Sequence, residues 1–550
     1  MRIPLLLFGL ALAVRLIGIA LFPDPAYVDS FYYVEVARSL AAGHGFSIDF
    51  IWTFVDVGGR LPVDPTLPIP SNAHWMPLAS LVQVPFLLVL GHTAWASALP
   101  FALMGTLAAP LSWAIAREAG ARPTIALAAG VLTAIPGALT IFLGQPDNFA
   151  PFEVLAAASL WMVARGIKGS GRSFALAGLL VGLATLSRND GVLLGVVLAA
   201  AVAWDRWHAW RSAGTRRPRI PLASVVMAAA GFFVVMGPWW IRQLAVFGSI
   251  SPSSASGRIL WITELGQMNS ISTPVSLSTF LGSGIGTILA TRIGGLVAAL
   301  GVYVIVCSTV FLAPFLLVGA WLRRRSTDFG PYLVYAVLLF AFSSLVSAVH
   351  VPNGTFLHSA VALVPGAAVL TLEGVAATVA AVTRRRRSWD AERATRIFVW
   401  GSVALAVVGA LFFGRMILVD WESGRRERVA VADELDRRNV PPTDRLMSVD
   451  TGGFKYHTGL GGVVTVNDPL PVSEEVARAY DIRWLVLQRS LIVPSMVPVL
   501  EGRERPGWIG EPVWTYVDPS VARDSSVIGP DAALYPICLQ ADDARCGGTP

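Results

Sequence analysis

Asp29 is the first residue of the chain whose type and place suggest chemistry. It follows an apolar run at residues 3–22 by only a few positions, so a carboxylate stands at the edge of a segment suited to a bilayer, where charge is costly. Further along, acids and cations recur between apolar runs: Glu35, Asp49, Asp56, His74, Asp147, Arg188, Asp190, Arg242, His350, His358, Lys455, Tyr456 and His457. A reaction between an activated phosphate and a hydroxyl needs this pairing. A carboxylate accepts the hydroxyl proton, and cations or a metal ion hold the departing phosphate.

Each of these residues also has a plainer reading. Asp29 suits the N-terminal cap of a helix, and Asp147 a turn or cap before Phe149. Arg188 and Arg242 could be interfacial arginines that snorkel. Lone interfacial histidines more often form hydrogen bonds than bind metals, and the spacing of His350 and His358 carries no helical metal-ligand signature. Lys455 reads as a solvated-face residue. Asp29 and Asp147 could equally hold a divalent cation.

The element that must position Asp29 is the stretch at residues 27–46. Tyr33, Val36, Ala37 and Leu40 form an apolar stripe at helical spacing, Glu35 and Arg38 lie off it, and Gly43 and Gly45 stop it. This predicts a helix along the membrane interface with Asp29 at its N-terminal end. A polar stretch at residues 47–73, rich in proline and glycine, reads as a functional loop. The apolar run at residues 78–90 is short for a span and reads as re-entrant or interfacial.

At 54% hydrophobic and 14% charged over 550 residues, the composition excludes a soluble domain of this length and predicts a polytopic membrane protein. The net charge of +6 comes from short arginine clusters between apolar runs, which is topology rather than a nucleic-acid footprint. Three cysteines make no disulfide framework: Cys307 lies in an apolar run, and only Cys538 and Cys546 are close enough to suggest a bridge.

The first apolar run predicts an uncleaved helix with a cytoplasmic N-terminus, and Arg15 within it must face protein or water. Later spans are expected near residues 95–116, 124–143, 152–164, 174–186, 192–204, 221–241, 296–322, 332–349, 361–382 and 397–419. Basic clusters at 117–122, 165–172, 211–219, 323–325 and 384–387 fall in alternate loops and make those loops cytoplasmic. The result is an all-α membrane domain of about eleven spans at residues 1–419, with a first exterior loop at 23–94. Residues 420–550 read as a small exterior α/β domain: a helix at 421–438, strands at 445–449, 462–466 and 483–487, and a helix at 473–480. It has no Gly-rich dinucleotide fingerprint. Neither an internal repeat nor an inverted pair of broken helices points to a transporter.

Five motifs carry a resemblance. A first span followed by VDSFYYVEVARSLAAGHGF, then HWMPL, QPDNFAPF, TLSRNDGVLL and GPWWIRQLAVFGS, resembles the GT-C superfamily of polyprenyl-phosphate-sugar glycosyltransferases. The nearest branch contains protein O-mannosyltransferases and lipid A aminoarabinose transferases. Residues 1–252 carry the resemblance well, and HVPNGTFLHS and KYHTG fit it further on. It implies that Asp29 is the first-loop general base and Asp147 the second-loop acid that shapes the site or orients the acceptor. Arg188 and Arg242 become phosphate contacts, with Tyr33, His74, His358, Lys455 and Tyr456 around the substrate. Asn189 departs from the usual Arg-Pro-acid pattern, and Leu460 replaces the arginine of a TGR-like segment.

The expected activity is inverting transfer of a sugar from a polyprenyl-phosphate donor to a glycan, lipid or protein hydroxyl. An exterior site excludes nucleotide sugars, so the donor must be lipid-linked. The expected setting is the cytoplasmic membrane with the C-terminal domain outside, and the Arg-, Ala- and Gly-rich composition suggests a bacterial source. The competing readings are a lipid-linked-glycan transporter or flippase and a non-catalytic assembly factor.

Overall fold

The computed structural model describes residues 2–212, 217–250, 257–386, 388–519 and 528–539. Cys546 of the suggested bridge, and Arg216 and Arg387 of two basic clusters, lie outside them. The chain divides into two compact units. The first comprises Met1–Asp24, Trp75–Arg242 and Leu289–Ile417, and the second Pro25–His74, Gln243–Ile288 and Leu418–Pro550.

Among the described residues, eight helices are long and apolar enough to cross a membrane, or nine if the bent pair Pro123–Ala134 and Gly137–Gly144 counts as one span. The expected count of eleven is larger because hydropathy does not measure helix length. Gly171–Ser187, Ala313–Arg323 and Gly330–Leu345 are apolar but have only 17, 11 and 16 residues, against about 20 for a hydrocarbon core of about 30 Å. The expected span at 296–322 is broken. Ile285–Ser308 ends at Thr309 and Val310, both in the left-handed region (φ 46° and 66°), before Ala313–Arg323 begins. Such a reversal at β-branched residues leaves no mark on an apolar run. Residues 78–90 form two short helices, Leu78–Leu81 and Val84–Leu90.

Small residues set the helix packing in the first unit. A Cβ on Gly319 would fall 1.8 Å from the Leu370 carbonyl oxygen, and one on Gly374 would fall 1.9 Å from that of Phe315. The helices Ala313–Arg323 and Val364–Arg385 therefore meet backbone to backbone, the kind of contact that drives association where lipid removes the hydrophobic difference. Gly374→Leu must push them apart and is expected to cost about 3 kcal/mol or more, read as a lowered thermal midpoint in detergent. Arg15, on the helix Arg2–Leu21, is buried in protein, with Nη1 3.4 Å from the Thr140 carbonyl, as its cost in lipid demands.

The second unit is built on a six-stranded mixed sheet. Its strands are β2 (Phe50–Ile51), β4 (Arg445–Met447), β5 (Gly462–Val463), β6 (Ile482–Gln488), β7 (Trp514–Tyr516) and β8 (Ala532–Pro536), in the order β2-β5-β4-β6-β8-β7. The first four pair in parallel, and β8 and β7 close the sheet antiparallel. A separate two-stranded antiparallel sheet pairs β1 (Ser47–Ile48) with β3 (Ile69–Pro70). The helices Thr451–Thr458 and Leu470–Ala479 make the crossovers that parallel strands require. Gly462 is needed where it stands, because a Cβ there would lie 2.0 Å from the Leu446 carbonyl oxygen.

The expected strands β4, β5 and β6 and the helix after β5 are present. The helix expected at 421–438 is not separate. It is the end of one 47-residue helix, Ala391–Arg437, since the change from apolar to polar residues does not interrupt backbone hydrogen bonding. The unit is discontinuous in sequence: β2 comes from the 47–73 stretch, and Asp468 binds residues 270–272. Its carboxylate accepts from Ser270 Oγ at 2.6 Å and the Ile271 N–H at 2.8 Å, and also from Ser272.

Candidate active site

In the second unit, Asp29 is the second residue of the helix Val28–Ala41 and is half-buried. It does not cap that helix, contrary to its plainer reading. Ser30 does so, accepting from the Ala26 and Tyr27 N–H groups at 3.1 Å each and donating to the Tyr27 carbonyl at 2.6 Å. The helix buries more than the expected stripe: Phe31, Tyr32, Tyr33 and Val34 are all in the core. Tyr33 packs edge-on against Tyr32, and His74 is half-buried.

Lys455 and Tyr456 lie on the helix Thr451–Thr458. Lys455 pairs with Asp49 and donates to the Gly459 carbonyl at 2.7 Å. The Tyr456 ring packs 5.5 Å from Phe31 and carries the Arg38 guanidinium 4.4 Å over its face. Glu35 pairs with Arg38 at 2.7 Å, and burial holds its carboxyl above the usual range. Burial, with Arg428 nearby, pushes the His457 imidazole down to about 4, so it is neutral near pH 7.

The Asp56 side chain, on the turn Phe54–Val57, is only 7% exposed. Burial raises its pKa to about 7 from 3.8, a rise the Thr53 backbone partly opposes. The folded-state value is the higher one, so folding penalises the ionised form. That stability is fully present below about pH 4 and is lost as pH rises towards 7. Asp56→Asn is expected to leave stability unchanged at pH 4 and raise it at pH 8 by on the order of 4 kcal/mol, at about 1.4 kcal/mol per tenfold change in proton affinity. Unfolding curves at the two pH values check this.

The first unit brings together Asp147, Arg188 and His358, and adds three residues the sequence did not single out or did not place: Asn148, Asp190 and Ser359. Asp147 and Asn148 precede the helix Phe149–Ile167, Arg188 and Asp190 follow Gly171–Ser187, and His358 and Ser359 belong to Thr355–Ala360. Asp147 is fully buried, and His358 is 9% exposed. Asp147 Oδ1 accepts from the Asn148 N–H at 2.5 Å, while Oδ2 faces His358 Nε2 at 3.8 Å. That is beyond hydrogen-bond distance, so the two groups face each other across a gap. The imidazole also packs on Phe149, with ring centroids 4.0 Å apart.

Arg188 ties the cluster together. Its Nε donates to Asp190 Oδ1 at 3.0 Å, Nη1 to Asn148 Oδ1 at 3.5 Å and Nη2 to the Thr355 carbonyl at 3.3 Å. Ser359 Oγ donates to the other Asp190 oxygen. A guanidinium held at all three nitrogens by protein joins three segments. Arg242, on the helix Leu222–Phe247, lies 5.0 Å over the Trp239 ring. The QPDNF and SRND motifs already contained Asn148 and Asp190. Ser359 had no signal beyond its neighbour His358.

Residues 73–241 match the family described as dolichyl-phosphate-mannose-protein mannosyltransferase. No curated protein matches the sequence significantly. Among solved structures, ArnT from Cupriavidus metallidurans bound to undecaprenyl phosphate aligns over 97% of both chains, at 17% identity and a TM-score of 0.56. Its apo form aligns over the same shares at 14% identity and a TM-score of 0.56. The Archaeoglobus fulgidus oligosaccharyltransferase, in complex with Zn and sulfate, aligns over 93% of this chain and 72% of its own, at 14% identity and a TM-score of 0.52. The matched segment contains the QPDNF and SRND motifs and the fold extends over nearly the whole chain, so the resemblance read from the motifs holds: this is a multi-pass membrane protein with the GT-C glycosyltransferase fold.

Proposed function

We propose that the protein transfers a sugar from a polyprenyl-phosphate donor to an acceptor hydroxyl at the exterior face of the cytoplasmic membrane, with inversion at the anomeric carbon. The observation that carries this reading is the buried Asp147–His358 pair beside Arg188, with Asp147 and Arg188 inside the segment that matches the mannosyltransferase family. The undecaprenyl phosphate in the similar ArnT structure supports a lipid-linked donor.

In this reading Asp29 takes the acceptor proton as the acceptor oxygen bonds to the anomeric carbon. The bond from that carbon to the phosphate oxygen breaks, and polyprenyl phosphate leaves towards Arg188 and Arg242. One base and one charge clamp suffice, so no covalent sugar–enzyme intermediate forms. Asp147 Oδ2 and His358 Nε2 have the donor chemistry to hold a divalent cation, which would supply charge stabilisation for the leaving phosphate. The zinc named in the archaeal structure supports such a site.

The test incubates purified protein in lipid with radiolabelled polyprenyl-phosphate monosaccharides and membrane extract. Labelled acceptor and free polyprenyl phosphate are expected in equal amounts. Label that crosses the bilayer still attached to its lipid, with no cleavage, would replace transfer with the transporter reading.

A further inference from the structure

Asn148 is the N-cap residue of the helix Phe149–Ile167, yet its side chain makes no cap hydrogen bond. An asparagine in that position ordinarily turns onto the free N–H groups of the first turn, a contribution of about 1 kcal/mol. Here its Oδ1 lies 3.0 Å from His358 Nδ1 and 3.5 Å from Arg188 Nη1. The Asn148 backbone is helical (φ -74°, ψ -4°) and not the extended one from which a side chain caps, and the amide turns instead into the buried polar cluster.

The partners fix the chemistry of the contact. A guanidinium can only donate, so the Asn148 atom facing Arg188 is the amide oxygen, and an amide oxygen can only accept. His358 Nδ1 must therefore carry its hydrogen. In the neutral imidazole that leaves a lone pair on Nε2, the nitrogen 3.8 Å from Asp147 Oδ2. Arg188 is itself anchored by Asp190 and the Thr355 carbonyl, which keeps the donor that orients Asn148 in place.

We propose that Asn148 is a positioning residue: oriented by Arg188, it locks His358 in the Nδ1–H tautomer, so that two acceptors, His358 Nε2 and the Asp147 carboxylate, converge on one point. That point accepts a cation or a hydrogen-bond donor and rejects a bare acceptor oxygen. The proposal rests on the reading that Asp147 and His358 serve the transfer site, but the measurement that decides it needs no transfer.

The experiment records 15N spectra of the full-length protein in lipid with 15N-labelled histidine and no donor, acceptor or added metal. The chain has seven histidines, and His358→Gln identifies the signal of interest. A protonated Nδ1 and a bare Nε2 are expected in the wild type. Asn148→Leu should lose that fixed tautomer, and Asn148→Asp, which keeps an oxygen acceptor, should restore it. A protonated Nε2 in the wild type overturns the proposal, as does an unchanged His358 signal in Asn148→Leu. The wild-type spectrum decides even where the leucine variant fails to fold. In parallel, Asn148→Leu is expected to lower kcat by about tenfold or more, as partners of ligand residues do, with the KM for donor held. The Nδ1–H tautomer without transfer from any donor would remove the functional reading and leave this one standing. Transfer with the Nε2–H tautomer would do the reverse.

Discussion

Asp29→Asn is expected to abolish sugar transfer while leaving donor binding and the fold intact. A positioned general base contributes on the order of 10² to 10⁴ in rate, and asparagine keeps the size of aspartate without its basicity. The structure makes the substitution informative because Asp29 does not cap its helix. The hydrogen bonds that Ser30 makes at the start of Val28–Ala41 do not involve Asp29, so the substitution leaves them in place and removes the interaction of the Asp29 charge with the helix dipole. At a partly exposed position that is worth about 0.3–1 kcal/mol, too little to unfold a helix whose next five side chains are buried. Transfer from labelled donor, donor binding and the thermal midpoint should be measured on the same preparation. Full activity would sink the base assignment and move the search to Asp147. A midpoint that fell along with activity would mean that Asp29 holds structure after all.

What could be read from the sequence depended on how local the cause was. The membrane class, most helices and the strands β4 to β6 follow from hydropathy and short β-branched runs. The parallel crossovers follow from the helix that punctuates them. β2 could not be found, because two residues, Phe50 and Ile51, become a strand only by pairing with Gly462 and Val463 some four hundred positions away. The break at Thr309 and Val310 was hidden for the opposite reason, since an apolar run reads the same whether its backbone continues or reverses. In the site, motif reading found Asp147, Arg188 and His358, the residues whose types are rare in apolar surroundings. Nothing in the sequence shows that Asp190, Asn148 and Thr355 receive the three nitrogens of Arg188. Asn148 lies inside the QPDNF motif, and nothing in the sequence shows that its side chain turns to His358 and Arg188.

Arg428→Met is expected to cost about 3–5 kcal/mol of stability, the usual result of breaking a buried ion pair from one side. Arg428 Nε lies 2.5 Å from Asp450 Oδ2, and both side chains are buried. Gly453 leaves the space they need, since a Cβ there would stand 2.5 Å from the carboxylate and 2.6 Å from Arg428 Nε. Asp450 also caps the helix Thr451–Thr458, accepting from the Gly453 N–H at 3.2 Å. Asparagine can keep that cap without the charge, so the double variant Arg428→Met/Asp450→Asn removes both charges and preserves the cap. Its stability is expected to return to within about 1 kcal/mol of the wild type, because a matched neutral pair no longer strands a buried ion. Transfer should not recover to the same extent. Arg428 also lies 4.9 Å over the ring of Phe31, two positions beyond Asp29, and Tyr456 packs on that ring too. A cation over an aromatic face is worth about 0.5–2 kcal/mol, and methionine does not replace it. The double variant should therefore fold normally yet transfer several-fold more slowly. Equal recovery of both properties would show that the Phe31 contact does not help hold the helix of the proposed base, and no recovery of stability would show that the cap needs the carboxylate charge.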